Sequence, residues 1–134
     1  MRLATRVAVA FLLPLLASAP LLAQGKFPPD SLTNLVVIPK GTPVQQVIGM
    51  MRGFTSALGV RCQYCHVGEE GQPLTTFNFA SDDTRTKKTA RIMMKMVMEM
   101  NATYLSQVPD PPAPVLEVRC AMCHRGVARP LALA

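Results

Sequence analysis

The chain has 134 residues, a length that supports one small domain and excludes two independent cores. Its formal net charge is +6, and 49% of its residues are hydrophobic. The basic residues are scattered, and aromatic residues make up 5% of the chain. Nucleic-acid binding needs clustered cations and stacking aromatics, so the composition argues against that class of function.

Residues 1–23 have the three-part pattern of a secretory signal peptide. Arg2 and Arg6 form a basic start, two prolines interrupt an apolar run over residues 7–23, and small residues precede the polar Gln24. An uncleaved membrane anchor is the alternative interpretation. It is disfavoured because the run is shorter than the roughly 20 residues of a spanning helix.

We predict that cleavage after Ala23 leaves a mature domain over residues 24–134. The mature domain would carry a net charge of +4, from 12 basic and 8 acidic side chains. There is no cysteine near the predicted cut, so no lipid anchor is expected there. Export would place the protein in the periplasm.

The first helix is predicted between residues 42 and 59. Thr42 is expected to cap its start with Pro43 at the first helical position and Gln45 completing a capping box, and Gly59 is expected to end it. One apolar face recurs at helical spacing: Val44, Val47, Ile48, Met51, Phe54, Thr55 and Leu58. Met51 lies at the centre of this face, and Met50 lies about 100° away on its flank.

A cysteine pair follows this helix after a short turn. Cys62, Cys65 and His66 form the sequence C-x-x-C-H. Residues i, i+3 and i+4 share one face of a helical turn, so both thiols and the imidazole are expected to point the same way. The following residues, 69–83, are predicted to form a loop over whatever group this motif binds.

The second helix is predicted to start near Ser81, with Asp82 and Asp83 in its first turn, where negative charge is favourable. Its apolar face comprises Ala90, Met93, Met96, Val97, Met100 and Tyr104. Its opposite, polar side comprises Lys87, Lys88, Arg91, Lys95 and Glu99. Met93 lies at the centre of the apolar face, flanked by Met96 and Met100, while Met94 and Met98 lie toward the polar edge.

A proline-rich segment over residues 106–118 is predicted to be an extended, semi-rigid strap. The second C-x-x-C-H sequence follows it, formed by Cys120, Cys123 and His124. The chain therefore repeats one design, in which a methionine-bearing helix, a connector and a C-x-x-C-H segment follow one another.

The doubled motif predicts two covalently attached haem c groups. In each motif the two thiols would bond to the porphyrin and the adjacent histidine would bind the iron. All four cysteines and both histidines of the chain belong to these motifs. A four-cysteine zinc site and a pair of disulfides are the alternatives, but both leave the two histidines without a role.

The sixth iron ligand must be methionine, lysine, water or nothing, because both histidines are already used as proximal ligands. Methionine suits an electron carrier, since its thioether raises the reduction potential and closes the iron to small ligands. The helical patterns favour Met51 for the first haem. For the second haem they favour Met93, with Met96 and then Met100 as alternatives.

The sequence resembles the cytochrome c subunit of photosynthetic reaction centres. The resemblance lies in residues 51–66, with Met51 and the first motif, and in residues 118–126 around the second motif. It also lies in residues 88–105, at Arg91, Met93, Met96, Val97, Asn101 and Tyr104. The resemblance implies an all-α fold with a local pseudo-twofold pair of haems, and it implies Met51 and Met93 as sixth ligands.

The chain departs from that family in two respects. The family's subunit carries four haems, one of them with a second histidine ligand, whereas this chain offers two motifs and no further histidine. The family's reaction-centre partner is therefore not carried over. Arg61, Arg119 and Arg125 lie beside the motifs and are candidates to pair with haem propionates, or they are solvated surface charges.

The sequence thus predicts a single-domain dihaem cytochrome that transfers electrons between redox proteins and turns over no substrate. A gas sensor or small haem enzyme with one open iron position is the alternative. That alternative is weakened because no spare acid–base group lies near either motif to donate protons. A zinc-binding interaction module is the third possibility.

Overall fold

The computed structural model describes residues 25–111, 113–114 and 116–132, so the predicted signal peptide lies outside the described residues. Three α-helices follow in order: α1 (Val44–Leu58), α2 (Arg85–Glu99) and α3 (Cys120–His124). Single 3₁₀ turns cover Cys62–Tyr64, Leu74–Thr76 and Leu105–Gln107, and a π-helical turn covers Met100–Tyr104. The described residues contain no β-strand, which confirms the predicted all-α class.

Helix α1 begins one position later than the sequence predicts. Pro43 is its N-cap, and no side chain caps it. The Thr42 hydroxyl donates instead to the carbonyl of Pro39, at 2.7 Å, so the predicted capping box with Gln45 is wrong. The hydroxyl thus takes part in the preceding turn, in which the Thr42 N–H also donates to the Pro39 carbonyl at 3.2 Å.

Gly59 ends α1 as predicted. It adopts a left-handed conformation, with φ of 64°, and its N–H donates to the carbonyl of Thr55. A side chain would be strained in this conformation, whereas glycine adopts it freely.

Helix α2 begins four residues later than predicted, with Thr84 as its N-cap. The polar residues that suggested an earlier start are used in a turn. The Asp83 N–H donates to the Ser81 hydroxyl at 3.0 Å, and Asp82 pairs with Arg91 at 2.8 Å. These local bonds offer the backbone an alternative to a helical start, as serine and aspartate commonly do.

The polar side of α2 is partly covered by protein, which the sequence did not predict. Lys87 and Arg91 have side chains that are 11% and 18% exposed, and both pair with Asp82. Met94 on the same side is half-buried. Met93 and Met96, on the predicted apolar face, are 37% and 43% exposed. The face of α2 that packs against the described protein is therefore rotated toward Lys87 and Arg91.

The end of α2 is tied to the end of the proline-rich segment. After α2 the backbone widens into the π-helical turn that contains Asn101. The Asn101 side chain donates to the carbonyl of Val118 at 3.0 Å and accepts from the N–H of Val118 at 2.8 Å. This pair of hydrogen bonds fixes the strap two residues before Cys120.

The protein core is small. Among the described residues, the buried hydrophobic side chains are Ile38, Val47 and Ala57. Val47 and Ala57 both belong to α1, which packs against α3. No helix in the described ranges is both long and apolar enough to cross a membrane.

Candidate functional site

The first C-x-x-C-H segment forms a tight turn. Cys62–Tyr64 is a 3₁₀ turn, and the N–H groups of Cys65 and His66 both donate to the carbonyl of Cys62, at 3.2 and 2.9 Å. The last of these is a bond of helical spacing, so one turn presents both thiols and the imidazole together. The backbone of this motif thus forms a single turn rather than a full helix, and the role of its side chains stays a prediction.

Two threonines at the start of α2 hold this first turn. The Thr84 hydroxyl donates to the carbonyl of Cys65 and the Thr86 hydroxyl donates to the carbonyl of Tyr64. Burial raises the pKa of the Cys65 thiol, an effect that its hydrogen bond with Thr86 partly offsets. The first motif is therefore anchored to α2 by side chains.

His66 packs against an aromatic residue of the 69–83 loop. Its ring lies edge-on to that of Phe79, with centroids 5.0 Å apart, and Phe79 in turn contacts Phe77 and Phe27 at 5.6 and 5.4 Å. The Nδ1 atom of His66 is buried without a hydrogen-bond partner. Burial and then the charge of Lys87 lower the pKa of His66, which favours the neutral imidazole that binds a metal.

The second C-x-x-C-H segment forms α3, and it is more open. Cys120 is half-buried, but Cys123 is exposed. His124 closes the helix, and its Nδ1 lies 3.1 Å from the carbonyl of Val127. A bond of this kind leaves Nε2 as the nitrogen available to a metal.

A backbone contact joins the second motif to the helix that leads into the first motif. The Gly126 N–H donates to the carbonyl of Ala57 at 2.9 Å. The approach is so close that a Cβ placed on Gly59 would lie 2.0 Å from the carbonyl oxygen of Gly126. Gly59 precedes Cys62 by three residues, and Gly126 follows His124 by two, so this junction brings the two motifs together.

The predicted methionine ligands lie on α1 and α2. Met50 and Met51 are both half-buried, so burial does not separate them. Met93 and Met96 are exposed on α2, as is Met98, and Met100 is half-buried in the π-helical turn. Met51 and Met93 therefore stay predictions as sixth ligands.

Several residues that shape the first site were not predicted to belong to it from the sequence. They form a polar cluster and an aromatic contact: Asn34, Phe79, Asp82, Lys87 and Arg91. Hydrogen bonds from Arg91 and Asn34 hold the pKa of Asp82 well below its usual range. Phe77 and Phe79 stand two residues apart in the predicted loop, and this pattern could have indicated an aromatic contact from the sequence. No feature of the sequence indicated that Lys87 is buried.

None of the four cysteines forms a disulfide. Within the described ranges, no three Cys, His, Asp or Glu side chains gather into a group that could hold a metal ion by themselves. This arrangement gives no support to the four-cysteine zinc alternative or to the disulfide alternative. It leaves each cysteine pair beside its own histidine.

These residues fit covalently attached haem. Each motif offers two cysteines that form no disulfide and an adjacent imidazole, and the buried Nδ1 of His66 has no hydrogen-bond partner. A porphyrin is a large apolar group, and the small core and the exposed side chains of Ile92, Met93 and Met96 suit a fold whose interior such a group completes. A helical chain with these sites has the features of a c-type cytochrome.

The comparison with known families agrees with this class. The family described as the photosynthetic reaction centre cytochrome C subunit matches residues 38–132. The chain belongs to this family, and membership implies covalently bound haem c.

Curated relatives show the same relationship. Cytochrome c-554 of Chloroflexus aurantiacus is 37% identical over 95 residues, which cover 64% of this chain and 20% of that protein. The photosynthetic reaction center cytochrome c subunits of Rubrivivax gelatinosus and Thermochromatium tepidum are 28% and 29% identical, covering 65% and 62% of this chain and 24% and 21% of those proteins. The chain thus spans between a fifth and a quarter of these relatives. No solved structure matches it.

Proposed function

We propose that this protein is an exported dihaem cytochrome that carries electrons between redox proteins of the cell envelope. The observation that carries the proposal is the pairing of two C-x-x-C-H segments in one small unit, joined by the bond from Gly126 to Ala57. Membership of a cytochrome c family supports haem as the bound group.

The two halves of the chain support each other in a reciprocal way. The end of α1, which precedes the first motif, contacts the segment after the second motif through Ala57. The start of α2, which precedes the second motif, contacts the first motif through Thr84 and Thr86. A pseudo-twofold pair of haems would produce this exchange of contacts.

Haem supplies the one-electron redox change, and the chain supplies ligands, covalent attachment and enclosure. His66 and His124 would hold the irons, and the four cysteines would fix the porphyrins. Met51 and Met93 would take the sixth positions and close the irons to small ligands. An electron would enter from a reduced partner protein at one haem, pass to the second haem, and leave to an oxidised partner.

The partner is proposed as a redox protein of the envelope, which includes membrane-bound electron-transfer complexes. The names of two relatives assign them to photosynthetic reaction centers. This chain spans less than a quarter of either relative, so a reaction-centre partner is not part of the proposal. The predicted signal peptide supports a periplasmic location.

Intact mass under denaturing conditions tests haem number and export together. The full-length gene would be expressed with a cytochrome c assembly system, and the expected mass is that of a chain from Gln24 plus two haems. The matched controls are a Cys62→Ala/Cys65→Ala variant and a Cys120→Ala/Cys123→Ala variant, each expected to carry one haem. A protein without covalent haem, or with one haem before mutation, contradicts the proposal.

Carbon monoxide binding to the reduced protein tests the electron-carrier function. Irons closed by methionine are expected to bind carbon monoxide slowly and incompletely at neutral pH. Rapid, stoichiometric binding to one haem of the unmutated protein would instead favour the gas sensor or haem enzyme.

A further inference from the structure

Lys87 is the most enclosed cation whose environment the sequence did not predict. Its side chain is 11% exposed, although lysine is rarely buried unless its charge is paired. The neighbouring Lys88, on the same helix, is exposed. A lysine held in this way is expected to have a specific role.

The ammonium group of Lys87 donates hydrogen bonds to consecutive backbone carbonyls. It donates to the carbonyls of Phe79, Ala80 and Ser81, at 2.9, 3.2 and 2.6 Å. Because an ammonium has three donors, these carbonyls use its full capacity. Lys87 thereby fixes the end of the 69–83 loop against α2.

The charge of Lys87 is not fully neutralised. Its Nζ lies 3.1 Å from Asp82, but Asp82 also lies 2.8 Å from Arg91. The Asn34 side chain donates to the same carboxylate at 2.9 Å without adding charge. Two cations share one carboxylate, so the cluster keeps one net positive charge.

The cluster around Lys87 is connected through Phe79 to His66, the predicted iron ligand of the first motif. Phe79, whose carbonyl accepts from Lys87, has its ring 5.0 Å from the ring of His66 at an interplanar angle of 65°. A shift of the turn would therefore move the aromatic wall that packs against the imidazole.

We propose that Lys87 is a positioning residue for the first haem, which orients His66 through Phe79 and raises the reduction potential of that haem through the net positive charge of its cluster. A nearby positive charge disfavours the ferric state, which carries one more positive charge than the ferrous state. The inference rests on the proposed dihaem function and adds a residue that tunes the potential of the first haem.

The test is a spectroelectrochemical titration of the mature holoprotein and of its Lys87→Met and Lys88→Met variants. Lys87→Met is expected to lower one midpoint potential and leave the other unchanged. It should also change the electron paramagnetic resonance g-values of one ferric haem, because the ligand ring loses its fixed wall. Lys88→Met removes the same charge from an exposed site and is expected to have a much smaller effect, since solvent screens it. Lys87→Arg keeps the charge and should retain most of the potential.

Asp82→Asn is a second variant, for which the midpoint potential is expected to shift in the opposite direction. It removes the shared negative charge while leaving Lys87 in place, so the same midpoint potential is expected to rise. Equal shifts from Lys87→Met and Lys88→Met would overturn the proposal, as would a shift of both haems or of neither. If the variants of Lys87 do not mature, an unchanged or lowered potential in Asp82→Asn overturns it. Haem number from intact mass separates this failure from failure of the dihaem function.

Discussion

The two C-x-x-C-H segments carry the same reactive groups in different surroundings. His66 in the first motif packs against Phe79, and its Nδ1 is buried. In the second motif Cys123 is exposed, and the His124 Nδ1 faces the carbonyl of Val127. The predicted chemistry of attachment is thus shared, whereas enclosure and nearby charge differ. Because burial and charge tune a haem potential, we expect two distinct midpoint potentials.

The two motifs are also held in place by different kinds of contact. The first motif is fixed by side chains, the hydroxyls of Thr84 and Thr86. The second is fixed at its two ends, by Asn101 at Val118 and by the backbone bond of Gly126. Mutations can therefore be expected to disturb one site while sparing the other.

The largest expected effect is loss of an iron ligand at one site. Met51→Ala should abolish one of two methionine–iron charge-transfer bands and lower one potential, because the thioether favours the ferrous state. Met50→Ala, its neighbour on α1, is the control and should do neither. For the second site, Met93→Ala is compared with Met96→Ala in the same way. A larger effect from either control would reassign the ligand.

The second-largest effect is expected at the contact between Gly59 and Gly126. Gly59→Ala should lower the free energy of unfolding by about 2–4 kcal/mol, since the new Cβ meets the Gly126 carbonyl and the residue needs a left-handed backbone. Thermal unfolding of the holoprotein measures this.

Two other glycines serve as controls that separate the effect of the close contact from the effect of the left-handed backbone. Gly126→Ala also needs a left-handed backbone, with φ of 82°, but its Cβ meets nothing within 4 Å, so about 1–2 kcal/mol is expected. Gly53→Ala lies in open space on α1 and should stabilise the helix by about 0.5–1 kcal/mol. If Gly59→Ala costs no more than Gly126→Ala, the close contact does not join the motifs.

A smaller effect is expected at the strap before the second motif. Asn101→Ala leaves the N–H and the carbonyl of Val118 without their partner, at a cost of about 1–3 kcal/mol. The potential of the second haem should shift, while that of the first should not. Thr103→Ala, in the same π-helical turn, is the control for helix propensity. Equal shifts at both haems would show that the two sites are not supported separately.

The smallest effect is expected from the ionisation of Asp82. The pKa of Asp82 is lowered in the folded state, chiefly by Arg91 and Asn34, so this carboxylate stabilises the fold above its ordinary unfolded pKa of about 3.9. The contribution is lost as the pH falls below that value. Asp82→Asn should therefore flatten the acid side of a stability-against-pH curve measured by urea unfolding.

Asp30→Asn is the control for Asp82, because its ion pair with Lys26 is solvent-exposed. It is expected to change the acid side little, as surface pairs contribute weakly. Equal flattening by both variants would mean that general surface charge, and not the cluster at the first motif, sets the acid response.

The sequence alone was enough to predict the chemistry of this protein. Each C-x-x-C-H places its thiols and imidazole within one local turn, so no long-range contact is needed to predict their grouping. The end of α1 at Gly59 was likewise local, since a left-handed backbone favours glycine. The helical spacing of apolar side chains predicted the two long helices, and the family resemblance implied the all-α class.

The tertiary structure alone decided which face of α2 packs inward. Helical spacing placed Lys87 and Arg91 on a polar side, but it could not predict that three loop carbonyls and Asp82 would cover them. The start of α2 was missed for a related reason, because Asp82 pairs with Arg91 in a turn that precedes the helix instead of lying in its first turn. The Gly59–Gly126 contact joins residues far apart in the sequence. Each glycine also has a local reason to be glycine, because its backbone is left-handed. Such contacts depend on how the chain folds back, and a periodic pattern carries no information about that.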